Sequence, residues 1–121
     1  AVVPGFRAYA QSRYQASSHR PAMDALQAQA RPGATIIVGE QEAYEHLYPY
    51  LHRRFRLSEV ETYDWLPAWQ PRLAAAAADS TGTVWLYARA DSPLHVSMGG
   101  EYRAVADQPM GDWRLTAWER P

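Results

Sequence analysis

A chain of 121 residues with 47% hydrophobic residues and a formal net charge of −1 can bury one core but not two, and lacks the positive excess that a nucleic-acid partner calls for. All 12 positive residues are Arg, and Lys, Asn and Cys do not occur, which excludes a phosphate-binding P-loop, Schiff-base catalysis, a thiol nucleophile, a disulfide framework and N-glycosylation. No apolar run approaches the roughly 20 residues that span a bilayer, and no charged-then-apolar leader opens the chain.

The first residue is Ala1 rather than Met, so a piece of a longer protein is expected. Residues 1–19 read as a polar lead-in and residues 20–121 as a single α/β domain. Pro21 suits the first turn of a helix, with Ser17 or Ser18 as its cap. Met23, Leu26 and Ala30 recur at helical spacing, and Arg31-Pro32-Gly33 stops that helix. Ala34-Thr35-Ile36-Ile37-Val38 is short, β-branched and apolar on both faces, the pattern of a central parallel strand. After Gly39-Glu40, Gln41 opens an amphipathic helix with Ala43, Tyr44, Leu47, Tyr48 and Leu51 inward; Pro49 predicts a kink, or a break near Leu47. The alternation from Phe55 to Val60 predicts a second, more exposed strand. A helix over about residues 68–79, rich in Ala, leads to a third strand from Thr83 to Ala88. Asp91-Ser92-Pro93 supplies the cap and first-turn proline of a short helix ending at Gly99-Gly100. Strands over residues 102–106 and 113–118, about a Pro109-Met110-Gly111-Asp112 turn, form a closing antiparallel hairpin.

This order predicts a small, open, Rossmann-like three-layer α/β sheet, mostly parallel with a C-terminal antiparallel hairpin. The Ile36 and Trp85 strands lie side by side, with the Leu57 strand outside. Ligands meet such sheets at the carboxyl ends of the strands. That places Glu40, Gln41, Arg89, Asp91 and Ser92 on the rim as candidate binding residues, with Asp64 on a nearby loop.

The candidate chemistry is thin. Val38-Gly39-Glu40-Gln41-Glu42 has one Gly and two acids where a dinucleotide site needs glycines, and carboxylates there repel a pyrophosphate. Glu42 and His46 share a helix face with His52 following, but no third ligand stands at metal-site spacing. Ser97 lies beside His95 and before Gly99 without the first Gly of a nucleophile elbow. Glu40, Glu59, Glu61 and Asp64 could pair for acid–base work on a sugar, yet acids flanking Val60 also suit an exposed edge strand. Tyr44, Tyr48 and Tyr50, then Tyr63, Trp65 and Trp69, divide between core filling and an interface. No catalytic residue, metal or cofactor is assigned.

The run Tyr14, then His19-Arg20-Pro21-Ala22-Met23-Asp24-Ala25-Leu26, then Ala30 to Val38, resembles the segment after the last membrane helix in polytopic glycosyltransferases of the dolichyl-phosphate-mannose-protein mannosyltransferase type. The tyrosine-rich helix, the Val84-Trp85-Leu86-Tyr87 strand and the closing Trp113-Arg114-Leu115-Thr116-Ala117-Trp118-Glu119 segment extend the similarity from Tyr14 onward. The resemblance implies an accessory, non-catalytic domain on the extracytoplasmic face, partnered by the membrane-embedded remainder of the polypeptide and aiding binding of a glycan or protein acceptor. Catalysis then belongs to the membrane part. The alternatives are a free-standing small-molecule or protein-binding α/β module, and a small glycan-active hydrolase. No nucleic-acid partner is expected.

Overall fold

Four residues with no polar side chain beyond Thr35 form the centre of the molecule. Strand β1, Thr35–Val38, is buried at every position, in a computed structural model that describes residues 18–62, 68–80 and 82–121. Around it the described elements run α1 (Arg20–Gln29), β1, α2 (Gln41–Leu51), β2 (Arg56–Glu59), α3 (Trp69–Ala78), β3 (Val84–Arg89), α4 (Pro93–Gly99), β4 (Arg103–Met110) and β5 (Trp113–Glu119).

The five strands form one sheet in the order β2-β1-β3-β5-β4. As the pattern predicts, β1 pairs Ile36 with Trp85 of β3 on one side and with Leu57 of β2 on the other, both parallel. The sheet is not mostly parallel, however. The last strand, β5, inserts beside β3 through six antiparallel residue pairs and carries β4 outside it through seven, against four in each parallel ladder. A hairpin that docks by its second strand must run against its neighbour, and these two strands are the longer ones, so antiparallel pairing dominates this mixed sheet.

Period-two alternation sorts the strands onto two faces. Ile36, Val38, Trp85, Tyr87, Leu115 and Ala117 pack under Met23 and Leu26 of α1 and Leu47 and Leu51 of α2. Ile37, Val84, Leu86, Ala88 and Trp118 pack under Leu73 and Ala77 of α3 and Leu94 and Met98 of α4. Three layers result.

Local details depart from the sequence pattern in three places. Ser18 does not cap α1: His19 occupies that position without a side-chain cap, its ring being bonded to Tyr87 instead, and Ser17 lies outside the described residues. Pro49 does not break α2, which runs unbroken to Leu51. The proline falls in the last turn, where its missing N–H forfeits one bond, while burial of Ala43, Leu47 and Leu51 holds the helix in place. The closing hairpin turns on Gly111-Asp112 alone, because Pro109 and Met110 still pair with Arg114 and Trp113. Gly111 takes the positive φ of 65° that the two-residue turn requires. Between Ala104 and Ala106 the register shifts by a bulge.

Candidate functional site

Where β1 and β3 end, the chain needs room to turn, and Gly39 supplies it. A Cβ on Gly39 would sit 2.7 Å from the Ala88 Cβ and 3.1 Å from a Leu94 methyl, so only glycine allows β1 to pass this close to β3 and α4. Its amide continues the ladder by donating to the Tyr87 carbonyl at 2.9 Å. The next residue, Glu40, is thereby set opposite Arg89, and a cleft of about 340 Å³ opens beside them, lined also by Glu61, Thr62, Asp91 and Ser92.

Four of the expected rim residues therefore come together here: Glu40, Arg89, Asp91 and Ser92. Arg89 Nε donates to Glu40 Oε1 at 2.6 Å, and this bond, with the Glu40 charge, raises the guanidinium's pKa. Ser92 caps α4, its hydroxyl accepting the Leu94 amide at 3.3 Å, which fixes one wall of the cleft. Gln41 does not line it. Its backbone amide donates to Glu61 Oε1 at 2.8 Å while its side chain turns back along α2 to Glu45 at 3.1 Å. Asp64, with Tyr63 and Trp65, lies outside the described residues.

The carboxylates crowd this end of the sheet. Burial pushes the Glu59 carboxyl upward, and repulsion from Glu61 and Glu45 adds to it. Arg89 is the one cation among the described residues that line the cleft.

A second cluster adjoins the cleft through Arg89, whose guanidinium lies 5.0 Å from the Trp113 ring centroid. Trp113 stacks on Tyr87 at 4.9 Å and 18°, and His19 stands edge-on to both rings. The Tyr87 hydroxyl and His19 Nδ1 are 2.7 Å apart. Burial, then the neighbouring His46, holds the His19 ring below the usual imidazole pKa, and burial raises the Tyr87 phenol. Sequence patterns missed this cluster. His19 and Tyr87 stand 68 positions apart, and only the alternation of Trp85 with Tyr87 hinted at a buried ring.

The arrangements that would make a hydrolase do not assemble. His95 is buried, with Nε2 3.1 Å from the Arg89 carbonyl and Nδ1 3.2 Å from the Thr116 hydroxyl. Because a carbonyl only accepts, Nε2 carries the proton and donates to the Arg89 carbonyl, while Nδ1 faces the Thr116 hydroxyl. Neither nitrogen is left for Ser97. Burial, then Arg114, lowers the pKa of this ring. His46 meets His19 ring to ring at 5.6 Å, and among the described residues no three His, Cys, Asp or Glu side chains gather as a metal would require. Tyr48 stacks on His52 at 4.6 Å and meets Tyr44 at a tilt at 5.5 Å, and Tyr48, expected inward, stands exposed instead.

Compared with known proteins, the chain matches no family model and no curated relative.

Proposed function

We propose that this chain is the accessory, non-catalytic ligand-binding domain of a membrane glycosyltransferase that uses a lipid-linked sugar donor. It stands on the extracytoplasmic face and helps seat a hydroxyl-bearing acceptor, glycan or protein, in the cleft beyond Gly39 and Arg89. The sheet is taken as a Rossmann-like variant in which ligands approach the carboxyl ends of the parallel strands.

One observation supports this reading above the others: Glu40 and Glu61 at the rim, and His95 buried beneath it, are already engaged by fixed protein partners. Glu40 holds Arg89, Glu61 holds the Gln41 amide, and His95 has both ring nitrogens occupied. Among the described residues such a rim offers preorganised acceptors, one cation and the Ser92 hydroxyl, which suits recognition of hydroxyl groups. It offers no nucleophile beside a base among the described residues.

Two measurements test the reading. Antibodies against the chain, applied to fractionated cells, should detect a membrane-bound polypeptide much heavier than 13.7 kDa, cleaved by protease added from outside. A 13.7 kDa species in the soluble fraction would instead identify a free-standing module. Amide NMR titration of the chain with short oligosaccharides and Ser/Thr-containing peptides should shift Glu40, Arg89, Asp91 and Ser92. Hydrolysis of an oligosaccharide by the chain alone would establish the glycan-active enzyme and sink the accessory reading.

A further inference from the structure

The net charge of −1 conceals a division by end. At the carboxyl ends of β1, β2 and β3 stand Glu40, Glu59, Glu61 and Asp91, with Glu42 in the first turn of α2 and Arg89, paired with Glu40, as the cation among them. The opposite end is built from the turns that precede β1 and β2 and from the residue after β5, which runs antiparallel and so finishes there. These segments and the first residue of β2 supply Arg31, Arg53, Arg54, Arg56 and Arg120, all exposed.

The turns are joined into one surface. Gly33 donates to the Arg54 carbonyl at 2.7 Å and Arg56 to the Ala34 carbonyl at 3.0 Å, which brings the Arg31 turn against the Arg53-Arg54 turn. Arg31, Arg56 and Arg120 border a single open groove of about 970 Å³, and Arg120 is held over the end of α3 by the Ala78 carbonyl at 3.3 Å. Asp79 offsets the charge of Arg56 at 2.5 Å, and Glu119, which also borders the groove, pairs with Arg103 at 3.7 Å. Among the described residues, Arg31, Arg53, Arg54 and Arg120 have no carboxylate within ion-pair distance.

We propose that this amino end of the sheet rests on an anionic lipid bilayer, with Arg31, Arg53, Arg54 and Arg120 against the headgroup phosphates. Arg suits that role, since its weakly hydrated planar fork binds phosphate bidentately and keeps its charge. The acidic opposite end is repelled by the same surface, so the charge division fixes the orientation and points the candidate cleft away from the bilayer. A nucleic acid fits less well, because the domain is acidic overall and these arginines sit on turns, not along a helix or strand that could enter a groove. The inference rests on the reading of the chain as the soluble part of a membrane protein, and supplies the face by which it stands there.

Sedimentation of the 121-residue chain with vesicles tests it. Vesicles of mixed phosphatidylglycerol and phosphatidylcholine should retain the chain, and vesicles of phosphatidylcholine alone should not. Raising salt from about 0.05 to about 0.5 M should release it, as screening shortens the reach of exposed charge. Each of R31A, R53A and R54A should lower partition about fivefold, as expected for one surface arginine. The triple charge reversal R31E/R53E/R54E should abolish retention with an unchanged circular dichroism spectrum, while E42Q/E45Q at the far end should not reduce it. Equal partition into both vesicle types, indifference to the single variants, or preference for an RNA duplex over the anionic vesicles would each overturn the proposal. A membrane-bound parent polypeptide with no vesicle preference in this chain would defeat this inference alone. Vesicle binding by a chain found soluble in cells would leave it standing and defeat the functional reading beneath it.

Discussion

Glu40 and Arg89, 49 positions apart, join the ends of the two central strands: Glu40 Oε1 accepts the Arg89 Nε–H at 2.6 Å, while the same guanidinium lies over Trp113. The pair is about as exposed as surface ion pairs usually are, with relative side-chain accessibilities of 47% for Arg89 and 35% for Glu40. Its importance is therefore to the cleft more than to stability.

Arg89→Ala should leave the melting temperature nearly unchanged and abolish the ligand-induced NMR shifts at Asp91 and Ser92, because it removes the cleft's one cation among the described lining residues and releases Glu40. Arg89→Lys should recover the charge but not the planar contact with Trp113 and the directed bond to Glu40. A large drop in melting temperature with Arg89→Ala would show that the pair is structural.

Gly39→Ala should destabilise the fold by about 1–3 kcal/mol, the usual cost of forcing a methyl into a packed interior, since its Cβ would meet the Ala88 Cβ at 2.7 Å. Urea unfolding measures the loss. Placing Ala88→Gly in the same chain removes the opposing methyl, so the double variant should be more stable than the sum of the single changes allows.

Thr116→Val should cost about 1–3 kcal/mol, the penalty for leaving buried polar groups without partners. The Thr116 hydroxyl accepts Trp118 Nε1 at 2.8 Å and faces His95 Nδ1 at 3.2 Å. Thr116→Ser keeps the hydroxyl and should retain most of the stability, which separates the bond from the packing.

Acid should destabilise the protein through its two buried histidines. Burial lowers the pKa of His19 and His95 below the ordinary value of 6.5. In the unfolded chain both rings take up protons near that value, so below it the unfolded state binds more protons than the native one. The stability they contribute is complete above about pH 6.5 and is lost as the pH falls toward the native values. Urea midpoints compared at about pH 7.5 and about pH 5 should fall, and the double variant H19Q/H95Q should fall less. An equal fall in both proteins would assign the acid sensitivity to other groups.

Much of the architecture was legible because it follows from short-range pattern. The buried run from Ile36 to Val38, the alternation through Trp85 and Tyr87 and the Ser92-Pro93 cap each fix an element by local chemistry. They also place Glu40, Arg89, Asp91 and Ser92 at one rim. The dominance of antiparallel pairing was not legible, since nothing within Arg103–Met110 or Trp113–Glu119 states which of the two strands meets β3. Pro49 misled because propensity counts a proline equally anywhere in a helix, whereas its cost depends on the turn in which it falls. The His19 cluster is wholly a product of tertiary contact between a helix start and two strands.

The bulge at Val105 and the proline at position 109 have a consequence for how the molecule meets copies of itself. β4 is the outermost strand on its side of the sheet, and a strand with an open side invites another chain to continue the ladder. On β4 that invitation is interrupted twice within eight residues: once where the pleat falls out of step, and once where a residue has no N–H to offer. An incoming strand could align with only a few residues before losing register. The border of the sheet thus discourages fibrous growth with backbone alone, and leaves the side chains of both ends available for recognition.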